Sequence, residues 1–338
     1  TKDLTTGNPM KLILAFALPT LCGMLFQQFY NLVDTMIVGK LLGAQALAAV
    51  GSTGSINFFV IGFCMGVCNG FAIPVAQRMG AREYGQMRRF VANAAYLSAL
   101  FALVLTVVTG LFCRNILVVM RTPADIIDNA YAYIFVIFMG IPATFLYNLL
   151  AAVIRSLGDS KTPVYFLALS SFLNIFLDFT LILYFKAGVA GAALATVTSQ
   201  TVSGLACLVY MRKKYTILRT GKEERRLDGH SCRTLCMMGI PMGLQCSITA
   251  IGSVVLQGAV NGLGSDIVAA QTAGGKAAQF LSVPLESIGT AMTTYASQNM
   301  GANDLNRVNK GVNTALGIGC VYSVASFLIL RVLDKALI

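Results

Sequence analysis

Nine apolar runs, each of 20 residues or more, dominate the chain and decide its fold class. About 20 apolar residues cross a bilayer as a helix, and a backbone in lipid must satisfy its own hydrogen bonds. The expected spans are Leu12–Val38, Ala46–Ala76, Arg89–Phe112, Ile126–Ile154, Val164–Phe185, Val189–Met211, Leu235–Val260, Ile267–Ala296 and Val308–Leu330. The predicted fold is therefore an all-α polytopic membrane protein. Only 12% of the 338 residues are charged and mean hydropathy is +0.72, against about 25% charged for a soluble domain. Pro19, Pro142, Pro241 and Pro284 fall inside spans, where each removes a backbone donor and is expected to bend its helix.

The net charge of +11 does not indicate nucleic acid, because the positive residues lie between the spans. With the N-terminus inside, eighteen Lys and Arg fall on inner connections and six on outer ones. That asymmetry predicts a cytoplasmic N-terminus. The longest polar connection, Arg212–Arg233, carries eight of the eighteen and is expected to be a cytoplasmic linker between two lobes, 1–211 and 235–338, with 212–234 between them. The first 11 residues are polar and the apolar segment after them is too long for a signal peptide, so none is expected. The chain starts at Thr1, and residues before it are expected.

His230 is the only histidine and lies in the polar connection. The nine cysteines are scattered, without zinc-type spacing. These features argue against a histidine metal site or a catalytic triad, and so against an intramembrane enzyme. No cofactor is expected.

The costly residues are the carboxylates. Of fourteen, only Asp34, Asp178 and Glu286 lie well inside spans. A charged carboxylate facing lipid at mid-membrane costs about 2.5–3.5 kcal/mol on the insertion scale, so each needs a protein or wet environment. Asn174 and Asp178 are four apart and share one helix face. Lys276 is the one cation placed within a span; it and Glu286 are ten apart and are not expected to pair. Both are candidates to line a cavity, Lys276 tuning its charge and Glu286 meeting a cationic substrate. Gln27, Gln28 and Asn31 are candidates to line it near Asp34. Phe26, Phe29 and Tyr30 are expected mainly at lipid, with contact to flat drugs as the alternative.

An internal repeat crosses the linker. Pro19, Gly43-x4-Ala48-Ala49 and Gln77-x-Met79-Gly80-Ala81 recur as Pro241, Gly264-x4-Ala269-Ala270 and Gln298-x-Met300-Gly301-Ala302, at a period near 221. Six spans separate the copies, so they share one orientation: a parallel repeat about an axis along the membrane normal. Two like lobes around a cavity suit alternating access better than a channel. The second copy stops after its third span, so about three spans of it are expected to be absent.

With these motifs, Gly43–Val50 (GAQALAAV), Gln77–Arg82 (QRMGAR), Arg155–Pro163 (RSLGDSKTP) and Gly188–Thr196 (GVAGAALAT) in this order, the chain resembles the multidrug and toxic compound extrusion (MATE) family. The resemblance implies a two-lobe bundle with about nine transmembrane helices present of an expected twelve. It also implies a bacterial inner-membrane transporter, expected as a monomer, whose partners are lipophilic small molecules and membrane lipid. In the DinF-like branch, the resemblance places a cation site on an acid in the first helix, an Asn and Asp in the fifth and a Thr in the sixth. Here those are Asp34, Asn174, Asp178 and Thr196.

Depth counting at about 1.5 Å per residue puts Asp34, Asp178 and Thr196 in the outer half, with Asn174 near the midplane. Tyr133 falls at similar depth and is a candidate to hydrogen-bond the group; Asn148 falls on the inner side and is a weaker candidate. Four oxygen-bearing side chains suit Na⁺, or a proton shared between the two acids. The implied activity is Na⁺- or H⁺-coupled antiport of lipophilic, cationic compounds, with the helix bending near Pro19 as the moving element. The alternative is a flippase for lipid-linked precursors in the same superfamily.

Overall fold

The computed structural model describes the backbone at residues 3–120, 122–261 and 265–337; the side chains at 254, 257, 258, 261, 265, 266, 268–270, 272, 273, 276, 277 and 332–337 lie outside that description. The described elements are helices and turns, with no strand among them. In order they are α1 (Pro9–Leu42), α2 (Ala44–Ser52), α3 (Gly54–Gly80), α4 (Tyr84–Val119), α5 (Ile127–Met139), α6 (Ile141–Ser156), α7 (Lys161–Phe179), α8 (Gly188–Lys214), α9 (Gly229–Asn261), α10 (Ser265–Gly301) and α11 (Leu305–Leu337). A π-helical turn, Thr180–Tyr184, extends α7.

Two expected spans are each two helices. Ala46–Ala76 is divided at Thr53, between Gly51 and Gly54, where glycines weaken a helix. Ile126–Ile154 is bent by 47° between α5 and α6. The break is at Gly140, where a Cβ would collide with Val197, and Pro142 sits in the first turn of α6. Pro19, Pro241 and Pro284 lie inside α1, α9 and α10, which run through them unbroken. Among the described residues, seven helices are long and apolar enough to cross a membrane, or eight counting the bent pair.

The repeat is visible in the backbone. α3 ends at Gly80 and α10 at Gly301; α4 starts at Tyr84 and α11 at Leu305. Each offset is 221 residues. Arg82 and Asn303, also 221 apart, both take φ of 59°. Each follows a turn closed by the same bonds, Ala81 N to Gln77 O and Ala302 N to Gln298 O. The packing follows the same exchange: α3 lies on α9, and α10 on α1.

Glycines let α3 and α9 approach. Gly66 and Gly70 face Gly243 and Gly239, and a Cβ at Gly66 would lie 2.7 Å from the Gly243 Cα. Lipid-embedded helices associate by such close packing and not by hydrophobic exclusion. Aromatic and aliphatic side chains including Phe71, Phe138, Phe145 and Ile154 fill the interior of α3–α6. α4 and α11 turn Leu103, Val107, Leu111, Leu316, Val324 and Phe327 outward.

The polar connection after α8 is held to the bundle. Asn93, fully buried in α4, donates to Arg226 O and accepts from Asp228 N at 3.0 Å. Arg88 pairs with Glu224 at 2.7 Å, which holds the Glu224 carboxyl below its usual range. Tyr215 donates to Asp159 Oδ2, which with Oδ1 also caps the start of α7 through Lys161 and Thr162.

Candidate functional site

α1, α7 and α8 bring four sequence-predicted residues together. Gly23 lets α1 lie against α7, since a Cβ there would stand 3.0 Å from Val164 Cγ2. Further along that contact, the Asp34 and Asp178 carboxyls are neighbours. Asn174, one turn before Asp178, donates to Thr196 Oγ1 of α8 at 3.3 Å. Asp178 is 0% and Asn174 1% exposed. Asp34 Oδ1, Asn174 Oδ1 and both Asp178 oxygens are buried and accept no hydrogen bond. Native structures seldom leave buried acceptors unsatisfied.

Two adjacent carboxylates in a medium of low dielectric repel each other, by about 4 kcal/mol at 4 Å for an effective ε of 20. A proton between them or a cation beside them removes that cost. The donor set of carboxylate, amide and hydroxyl oxygens is the kind hard cations take. Among the described residues no three His, Cys, Asp or Glu side chains converge as a metal site.

Tyr133, 8% exposed, comes up to this group from α5. Tyr30 joins it from α1. Tyr30 was expected at lipid, but it sits four residues before Asp34 and so on the same helix face. Phe26 and Phe29 are exposed, as at lipid.

Below the acids, toward the end of the bundle that carries the N-terminus and the basic connection, lies a cavity of about 180 Å³. Gln27, Tyr30, Asn148, Ser170, Ser171 and Gln200 line it. Asn148 donates to Thr144 O at 2.8 Å, and Thr144 donates to Gln200 Oε1 at 3.0 Å. Asn148 therefore belongs to the cavity wall and not to the acid cluster. Gln28 is half-buried and Asn31 exposed, and neither lines this cavity.

A second cavity, about 460 Å³, shares Met24, Asn69, Arg155 and Thr290 with the first and runs between α3, α9 and α10. Glu286 lines it. The side chain of Lys276 lies outside the described residues. Arg155, counted from sequence as a loop charge, is within α6 and lines both cavities. Lys276 is therefore not the lone interior cation.

The basic end of these cavities is sealed by the repeat motifs. A Cβ on Gly80 would collide with the Gln298 carbonyl, and one on Gly301 with the Gln77 carbonyl. Leu4, 1% exposed, donates its amide to Gln298 Oε1 at 3.0 Å, and Gln298 Nε2 donates to Ser156 O at 2.8 Å. Arg307 ties Asn299 to Gly7 O, at 2.9 and 3.0 Å. Ile13, Phe16, Ala291 and Tyr295 close the adjoining α1–α10 contact.

A model of the MatE family matches residues 19–180 and 241–338, both sides of the basic connection. The chain belongs to the MATE family. Like the rest of this family it is a multi-pass membrane transporter and not an enzyme. It is 32% identical to the probable multidrug resistance protein YoeA of Bacillus subtilis (strain 168), over 94% of this chain and 70% of that one. It is also 32% identical to the probable multidrug resistance protein YpnP of the same strain, over 90% of this chain and 68% of that one. Its fold matches the outward-facing conformation of a multidrug resistance MATE family transporter of the MOP superfamily, with a TM-score of 0.92 at 24% identity. That match covers all of this chain and 75% of the other.

Proposed function

We propose that this MATE protein is a cation-coupled antiporter that exports lipophilic, cationic compounds by alternating access, with Na⁺ or H⁺ as the coupling ion. The observation that carries the proposal is the cluster of four unsatisfied acceptor oxygens on Asp34, Asn174 and Asp178. A group of this kind gains a cation, or gives one up, with a large change in local repulsion. Because Asp34 is on α1, the occupant also alters how α1 lies on α7. Pro19 supplies the point in α1 at which a backbone donor is missing and bending costs least.

The positive-inside asymmetry supports a cytoplasmic N-terminus, in a bacterial inner membrane. On that orientation the Gly80–Gly301 layer is the cytoplasmic gate, shut here, and the cavities face outward. The repeat supports a first lobe of residues 1–211 and a second beginning at 235. The pinned segment between them acts as a fixed strap and not a free tether. Relatives named as multidrug resistance proteins support drug-like cargo.

Efflux from membrane vesicles, under Na⁺ and H⁺ gradients imposed separately, tests the proposal. One gradient should drive transport in the unaltered protein and neither should in Asp178→Asn. Full gradient-driven efflux by Asp178→Asn would sink the proposal.

A further inference from the structure

Arg155 has no place in the coupling cluster, yet the fold brings it to the junction of both cavities. It occupies the last turn of α6. A basic residue there usually serves the carbonyls that end its own helix. Arg155 instead reaches across to α3, where its Nη2 donates to Asn69 Oδ1 at 3.1 Å. A guanidinium has five donors, and this bond occupies one.

Among the described residues no carboxylate pairs with it; the four ion pairs are Arg78–Glu83, Arg82–Asp3, Arg88–Glu224 and Arg114–Asp128. Thr20, Ser160 and Thr290, which line the same cavity, carry neutral hydroxyls. Among the described residues, the one carboxylate lining either cavity is Glu286. It sits 12 residues before Gln298, whose side chain bonds the backbone next to Arg155. The Arg155 guanidinium, however, meets Asn69, eight residues before Gln77 on α3 and so level with Thr290 on α10, which puts the acid about one helical turn, roughly 6 Å along the axis, farther from the sealed end. The cavity thus carries a cation and, farther from its sealed end, an anion, with the hydroxyls of Thr290, Thr293 and Thr294 on the same wall. An unpaired cation inside a membrane is costly and marks a substrate path, and a planar guanidinium suits bidentate oxyanions.

We propose that Arg155 is an oxyanion subsite of the cavity. It takes the carboxylate or phosphate of an amphiphilic cargo, while a cationic centre on the same molecule lies toward Glu286. Asn69 orients the guanidinium. The proposal rests on the reading of these cavities as the cargo path, and it deepens that reading from cationic to amphoteric cargo.

The test is equilibrium binding to the purified full chain by calorimetry, with 12-aminododecanoate and its methyl ester as probes. The acid should bind at least 10-fold more tightly than the ester. Arg155→Gln should bring the two within twofold while leaving ester binding within twofold of the unaltered protein; Arg155→Lys should keep part of the preference. Equal binding of acid and ester by the unaltered protein, or an undiminished preference in Arg155→Gln, would overturn the proposal.

Ester binding doubles as the folding control. If Arg155→Gln fails it, Asn69→Ala takes its place and should cut the preference several-fold; no change there is equally fatal. Repeating the titration in phosphatidylglycerol nanodiscs and in phosphate-free maltoside micelles separates the sources of the oxyanion. Weaker acid binding in phosphatidylglycerol, absent in Arg155→Gln, assigns a lipid phosphate to the subsite. Equal binding in both assigns a soluble cargo. No ion gradient enters these measurements, so a failure of coupling leaves their outcome intact, and their failure leaves the coupling site intact.

Discussion

Adding one methyl group to Gly80 or Gly301 should open the sealed end of the transporter. In each case the new Cβ meets a backbone carbonyl of the opposite repeat, well inside van der Waals contact. A backbone has no flexible end that can swing aside, so the two repeats must part. Overpacking of this kind costs about 1–3 kcal/mol. The cost falls only on the conformation in which the layer is shut, so the ratio of open to shut should rise about 5- to 150-fold. The two sites share the same contact, and the double substitution should cost less than the sum.

Ser297, which is buried and lines the sealed part of the cavity, provides the readout. Ser297→Cys is placed in a background with the nine native cysteines replaced by alanine. Its labelling by an impermeant maleimide added on the N-terminal side is then timed. Gly80→Ala and Gly301→Ala should speed labelling by the factor above. Gly51→Ala and Gly289→Ala, where a Cβ meets nothing within 4 Å, should not. Unchanged labelling in both gate variants would refute the claim that the repeats close there.

Asn93→Ala removes the side chain that holds Arg226 O and Asp228 N; trypsin should then cut the connection at Arg225 or Arg226 several-fold faster, as read by mass spectrometry. Asp159→Asn keeps the oxygen that caps α7 but turns the one that accepts from Tyr215 and Thr162 into an amide donor, and should cost about 1–3 kcal/mol, seen as a lower Tm. Burial raises the Asp159 carboxyl, but bonds from Tyr215, Thr162 and Lys161 outweigh it and hold the group below its usual value. Its contribution is therefore present above about pH 4 and fades as pH falls through the lowered value. The Tm difference between Asp159→Asn and the unaltered chain should shrink below pH 4.

Much of the architecture was legible in the sequence because a bilayer leaves few choices. Apolar length gave the spans, and the 221-residue spacing gave the repeat that Gly80, Arg82, Gly301 and Asn303 realise. Mean apolarity cannot show a break, so α2/α3 and α5/α6 each read as one span. Within α1, helical phase separates residues that adjacency had grouped. Gln27 and Tyr30, seven and four before Asp34, share its face and line the cavity, while Gln28 is turned away from it. Arg155 was hidden because charge counting assigns a terminal Arg to the loop beyond it. Only the three-dimensional path of α6 shows where its guanidinium goes.

The central claim is that the Asp34–Asp178 cluster exchanges its cation against cargo, and reciprocity gives it a direct test. If ion and cargo compete through one equilibrium, each weakens the other's binding by the same factor. Cargo affinity of the purified protein should fall as Na⁺ or H⁺ concentration rises, and Asp178→Asn should bind cargo with no dependence on either ion. A Kd in Asp178→Asn that tracks the ion as it does in the unaltered protein would contradict the account.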